Sequence, residues 1–253
     1  MEKFYHYTTI ETLALILKTK KLRFTRLDLV DDLDETRNVK NKLASQFLIS
    51  CWTLDKCENI PLWNMYSGKK GVRISTSIIP IKTTKIYSKD GSNNFFESPL
   101  VNNFLIHEES NSKYFYYPPS NEFSFYDVEY ESTEEVVRRK ENCSTDYEIN
   151  TQDLAALKTD YWSFQKEKRL IVYLDPIMSD VTSVESYFIE KQSVEAPFTH
   201  YDLDLRDDFL KDIEITLSPY CDDYEFVIVE ALLKEYTKGG ILLLSELKNR
   251  VRN

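Results

Sequence analysis

The chain has 253 residues, 42% of them hydrophobic, with a formal net charge of −10 and only 5 glycines. That charge opposes general nucleic-acid binding, and the sequence has no GxGxxG or GxxxxGK[ST] run to cradle a phosphate. The 4 cysteines form no CxxC, the 3 histidines are dispersed, and no apolar run approaches the ~18 residues of a membrane span, so the expected setting is reduced, cytoplasmic and without a membrane partner.

In chain order, residues 3–8 read as a short aromatic strand opening directly from Met1, with no signal peptide. Thr9 can cap a helix that runs to about residue 19, and 21–25 alternates as a second strand. The five carboxylates Asp28, Asp31, Asp32, Asp34 and Glu35 form an acidic loop leading into a helix near 34–44. They can serve as metal ligands or as ordinary helix-start charges. Residues 47–53 read as a buried strand, a short helix starts near Pro61, and 72–77 forms another strand after a turn bracketed by Gly68 and Gly71.

Residues 80–121, polar and then aromatic, read as a mobile insert or lid. A strand over 123–130, helices near 132–141 and 151–159, and a polar connector over 175–198 follow. Strands at 201–205, 213–217 and 241–244, an amphipathic helix over 222–236 and a last short helix from Ser245 complete the chain. No linker or internal repeat divides it. The expectation is one α+β domain over 1–253, with a mixed, largely antiparallel sheet and helices packed on it.

The stretch Tyr161 to Tyr173 carries the densest chemistry: a charged entry running into an apolar β-type segment. Gln165, Glu167 and Arg169 stand two apart, so on a strand they share one face at the mouth of a buried strand. An amide, a carboxylate and a guanidinium there suit a polar ligand; a solvated surface ion pair is the plain structural alternative.

Several landmarks, taken in order, resemble the mainly bacterial family catalogued as domain of unknown function 2971. They are Tyr5-His6-Tyr7-Thr8, Leu22-Arg23-Phe24-Thr25, Asp31-Asp32-Leu33-Asp34-Glu35, Ser50-Cys51-Trp52-Thr53, the Trp63/Tyr66 pair, Gly71-Val72-x-Ile74, Trp162 to Arg169, and Leu217-Ser218-Pro219. The family pattern has Asn at position 31, Pro at 33 and Glu at 165, where this chain has Asp, Leu and Gln. A second resemblance, of the opening strand–helix–strand, is to ADP-ribosyltransferases of the His-Tyr-Glu type.

That second resemblance implies an ADP-ribosyltransferase-like fold and NAD as substrate. His6 and Thr8 would hold the ribose and amide side, Tyr66 would stack on nicotinamide, and Glu167 would support cleavage of the glycosidic bond. Tyr7, Trp63, Arg73, Ser75, Gln165 and Arg169 would complete the binding surface. The chemistry is coherent: cleavage passes through an oxocarbenium-like state, which a carboxylate stabilises, and an aromatic face suits a cationic ring. The implied activity is an ADP-ribosyltransferase or NAD glycohydrolase, a toxin or phage-defence enzyme acting on an unidentified acceptor macromolecule. A non-catalytic module binding a nucleotide or a partner protein through the same cleft stands beside it. A metal-dependent nuclease using the 28–35 carboxylates with Glu167 is a third, weaker reading. The transferase reading expects the 3–8 and 166–174 strands to be neighbours, with His6 and Glu167 opening on one cleft.

Overall fold

Alternating burial along short strands gives the protein a large sheet with a separate apolar core on each face. It is a computed structural model, describing residues 2–39, 42–88, 94–118, 120–145, 148–178, 183–211 and 213–251. In chain order the strands and helices are β1 (Phe4–Thr8), α1 (Ile10–Thr19), β2 (Lys21–Arg26), β3 (Phe47–Thr53), α2 (Ile60–Tyr66), β4 (Val72–Thr76), β5 (Thr84–Tyr87), β6 (Phe95–Ser98), β7 (Phe104–His107) and β8 (Ser112–Tyr117). There follow β9 (Phe125–Asp127), β10 (Glu129–Glu131), α3 (Thr133–Glu141), α4 (Thr151–Ala155), β11 (Leu157–Thr159), β12 (Glu167–Pro176), α5 (Val184–Ser193), β13 (His200–Asp204), α6 (Asp207–Lys211), β14 (Glu214–Leu217), α7 (Asp223–Tyr236) and β15 (Ile241–Leu244).

The main sheet runs β15-β14-β4-β1-β3-β12-β8-β7, and every pairing in it is antiparallel except β14 with β15. The α+β class and the mixed, mostly antiparallel sheet are as the sequence implies. β3 has two neighbours on one edge. β1 meets it at Tyr5–Thr53, and β2 meets it at Thr25–Ile49 and Arg26–Leu48. Between these contacts β1 and β2 part, and the sheet opens as a fork beside Ser50 to Trp52. The opposite edge of β3 is paired with β12 along its whole length, from Glu167–Thr53 to Tyr173–Phe47.

Strand alternation sorts the side chains of β3 and β12. Leu48, Trp52, Leu170, Val172 and Leu174 join one core with Leu13, Ile16 and Leu17 of α1 and Val229 and Leu233 of α7. Those α1 residues lie three and four apart, on one helical face. Thr9 caps the helix through its side chain, 3.1 Å from Thr12 N, and Lys20 ends it in a left-handed conformation, φ 55°. On the other face Phe47, Ile49, Ile171 and Tyr173 pack with Leu27, Leu43 and Leu154. Burying each such side chain contributes roughly 1.5–3 kcal/mol, so both faces are strongly specified.

Several expected elements differ. Among its described residues, the helix expected near 34–44 gives way to single 3-10 turns at Leu33–Glu35 and Leu43–Gln46. Burial of Glu35 and of Leu43 to Gln46 draws this stretch inward. The expected 151–159 helix stops at Ala155, and Leu157–Thr159 pairs as a parallel strand with β10. The strand over 123–130 is split into β9 and β10, the polar connector contains α5, and the stretch after Ser245 is a series of turns.

The second half of the expected lid is part of the main sheet, while β5 and β6 pair as a separate two-stranded sheet. β8 pairs with β12, β7 with β8, and Leu100, Leu105, Tyr114 and Tyr116 are buried in the main core. No described residue of 80–121 lines the cavity described below, and residues 89–93 and 119 lie outside the described residues. Aromatics at every second position, Tyr114 and Tyr116, are a strand's buried face rather than a closing loop.

Candidate functional site

The cavity, about 290 Å³, lies in the fork, on the face of β3 that carries Cys51 and Thr53. β12 brings Glu167 and Arg169 to the same face, in register with Thr53 and Cys51. β1 contributes Tyr5 and Tyr7, and α2 contributes Leu62 and Tyr66. The acidic turn adds Asp31, Asp32 and Glu35, while Lys158 comes from β11 and Gln165 from the 3-10 segment before β12. The apolar core of this face ends at Ile49 and Ile171, so the next residues along both strands meet the cavity.

Four charges form the cavity floor. The Arg169 guanidinium is saturated: Nε donates to Glu167 Oε1 (2.6 Å), Nη1 to Glu35 Oε2 (2.5 Å) and Ala155 O (2.8 Å), and Nη2 to Glu35 Oε1 (2.8 Å) and Glu167 Oε2 (3.3 Å). Lys158 Nζ lies 3.2 Å from Glu35 Oε1 and donates to Glu167 Oε2 at 3.1 Å and Gln165 Oε1 at 2.8 Å. Both cations are therefore shared between both carboxylates. Gln165 Nε2 donates to Tyr66 Oη at 2.8 Å, and the Tyr130 hydroxyl accepts from the Glu167 backbone N at 2.8 Å.

Burial alone would raise the Glu167 pKa, but the Arg169 and Lys158 charges and the Arg169 hydrogen bond overcome it and bring the carboxyl to about 2. Burial likewise opposes the charge on Lys158, and the two glutamates outweigh it and raise its pKa. Burial, reinforced by the Glu167 charge, pushes the Cys51 thiol well up, so this cavity-exposed cysteine is held as a thiol. The floor is a fixed zwitterion.

The structure gathers part of the expected site. Glu167, Gln165, Arg169, Tyr66 and Tyr7 all line the cavity. The strand does not extend through Gln165, however. Gln165 closes a 3-10 segment and Lys166 adopts φ 43°, a turn held by Thr53 Oγ1 donating to Lys166 O at 3.1 Å. Lys158 reunites Gln165 with Glu167. Tyr7 is buried, with its hydroxyl accepting from Asn59 N and its ring edge-on to Trp63.

Other expected residues stand outside the cavity. Trp63 is fully buried and donates from its indole to Glu58, making it a core residue with Tyr7 and Leu62. Arg73 and Ser75 lie one strand further out, on β4. The Arg73 guanidinium sits 4.5 Å from the Tyr5 ring centroid and donates to Lys56 O, while Ser75 donates to Glu214. Thr8 is buried where β4 enters: a Cβ added at Gly71 would meet Thr8 O at 2.3 Å, so that close backbone approach requires glycine.

His6 lines the cavity with Glu167, but the expected pairing of its strand with β12 is corrected. β1 and β12 are not neighbours, because β3 lies between them. Tyr5 and Glu167 both pair with Thr53, so alternation sends Tyr5 to the Glu167 face and His6 to the other. The His6 ring is 5.1 Å from that of Trp52, and its Nδ1 lies 2.8 Å from Cys51 O. It touches the cavity at the fork and joins the two strands where their ladder stops. Burial favours the neutral ring and lowers its pKa, and the hydrogen bond to the Cys51 carbonyl offsets this in part.

Sequence reasoning missed Lys158, placed in a presumed helix, and gave Glu35 no more than a metal-ligand or capping role. The carboxylates expected for a nuclease do approach Glu167, but Arg169 and Lys158 stand between Glu35 and Glu167. Among the described residues no group of His, Cys, Asp or Glu is arranged to hold a metal ion. No described helix is long and apolar enough to cross a membrane. Comparison with protein-family models, curated proteins and solved structures returned no match.

Proposed function

We propose that the cavity binds NAD or a related nucleotide and that the protein cleaves its nicotinamide–ribose bond, as an ADP-ribosyltransferase-like enzyme or NAD glycohydrolase. The observation that carries this is an ionised carboxylate, Glu167, on the floor of a tyrosine-lined cavity where a sheet forks. A fixed negative charge opposite a developing oxocarbenium stabilises it without reorganisation, and Tyr66 supplies an aromatic ring for a flat cationic one. The resemblance of the opening strand–helix–strand to the His-Tyr-Glu transferases supports the same reading. His6 contributes by holding the fork rather than by touching the ribose beside Glu167. A toxin or defence role, with a macromolecular acceptor, fits this chemistry.

A second reading is a binding module without turnover. It is favoured because both Glu167 oxygens already accept from Arg169 and Lys158, and because His6 faces Trp52. Release of nicotinamide from NAD separates the two. On the enzyme reading Glu167→Gln retains NAD binding but loses roughly 10²–10³ in rate, the usual cost of removing a charge-stabilising group. Thermal melts on the same sample set the folded fraction. Absence of nicotinamide release by the unaltered protein, with NAD still bound, selects the binding module.

A further inference from the structure

Beside the zwitterionic floor stands a charged group with an unsatisfied oxygen. Asp32 is only 7% exposed; its Oδ1 accepts from Asp34 N at 3.0 Å, whereas its Oδ2 is buried and has no hydrogen-bond partner among the described residues. A buried carboxylate oxygen without a donor is costly, and such atoms call for an explanation. Asp32 lines the main cavity and also an adjoining open groove with Leu33, Arg37, Tyr161 and Trp162. It therefore stands at the junction between the inner cavity and the exterior.

The charges in the wall set the kind of ligand. Asp31, Asp32, Glu35 and Glu167 supply four negative charges, and Lys158 and Arg169 supply two positive ones that are committed to Glu35 and Glu167. The third basic residue of the wall, Arg23, is paired with Asp202. Asp31 and Asp32 remain as net negative charge. Burial, followed by the nearby Glu35 charge, already disfavours the ionised form of Asp32, and a cation relieves both effects. A phosphate entering first would meet like charge.

We infer that Asp32 is the specificity residue of this cavity: the end of the ligand that enters carries a positively charged ring bearing an N–H donor, and that donor bonds to the Asp32 carboxylate. The inference rests on the NAD reading only for its choice of ring, a pyridinium carboxamide. It orients the ligand with the nicotinamide inward and the phosphates toward the groove.

The test uses three probes of one shape and different charge on the full chain: 1-methylnicotinamide, nicotinamide and nicotinate, titrated by calorimetry or ligand-observed NMR. The unaltered protein should bind the cation about tenfold or more tightly than nicotinate. Asp32→Asn keeps an oxygen for Asp34 N but turns Oδ2 into a donor. It should weaken the cation and the carboxamide about tenfold and strengthen nicotinate. Asp32→Ser retains a capping oxygen and should lose the preference without reversing it, which covers poor folding of the first variant.

Failure of the unaltered protein to bind 1-methylnicotinamide, or binding by both variants with unchanged preference, overturns the assignment. NAD turnover measured alongside keeps the two proposals distinct. Turnover without a role for Asp32 rejects this inference alone. Charge discrimination through Asp32 without turnover rejects only the enzymatic reading.

Discussion

β12 carries buried charge at both ends of one face, and the two ends differ in use. At its start, Glu167 and Arg169 share their charges with Glu35 and Lys158 and form a cavity wall. At its end, Asp175 pairs with Lys191 at 3.0 Å, with the ammonium 5.6 and 5.2 Å from the Tyr173 and Tyr187 ring centroids, and neither charged residue lines the cavity. Ile171 and Tyr173, between them, belong to one apolar core. Burial of an ion pair is therefore no sign of function by itself. The start of the strand is distinguished by a network that faces open space and by the unsatisfied Asp32 oxygen beside it.

The largest effect should come from Arg169→Leu. Removing this cation leaves two buried carboxylates with Lys158 alone between them, and breaking a buried pair commonly costs about 3–5 kcal/mol. Denaturant melts should place Arg169→Leu at or above the top of that range, with ligand binding lost as well. A loss under about 1 kcal/mol would mean that the network is as weak as an exposed pair.

Lys191→Met should cost somewhat less, about 3 kcal/mol, since it strands the single carboxylate of Asp175. Ligand binding and any turnover per folded molecule should not change. Adding Asp175→Leu should restore most of the stability, because replacing both partners of a buried pair with apolar groups is often neutral. A change in ligand affinity on this side would erase the contrast between the two ends.

A third effect is one of pH. The Glu167 carboxyl is depressed from an ordinary 4.5 to about 2 in the folded protein. Between those values the unfolded chain binds more protons than the folded one, so stability falls as the pH falls. The contribution is complete above about pH 4.5 and is lost toward pH 2. Melts across this window should show a shallower decline for Glu167→Gln than for the unaltered protein. Equal slopes would show that Glu167 is not held ionised by its neighbours.

Much of the fold was legible because it follows local rules. Thr9 capping α1, the Leu13/Ile16/Leu17 stripe, the alternation of Leu22 and Phe24, and the apolar run of β12 each announce an element through nearest neighbours along the chain. The same rules misread Tyr114 and Tyr116 as part of a lid and the Leu157–Thr159 strand as the end of a helix. Both errors concern short segments whose state is decided by the strand beside them, β12 in one case and β10 in the other.

The sequence by itself determined that Glu167 and Arg169 share a face, since two residues of separation on a strand allow nothing else. It equally determined that His6 and Tyr5 point to opposite faces of β1. Only the tertiary structure decided which of those faces looks at Glu167, because that depends on β3 entering between β1 and β12 in the Tyr5–Thr53–Glu167 register. A shift of one residue would have put His6 rather than Tyr5 on the Glu167 face of the sheet. The arrival of Glu35, 134 residues before Arg169, and of Lys158 from a different strand is likewise a matter of packing. Charges drawn from distant segments meet because each one, once buried, needs the others.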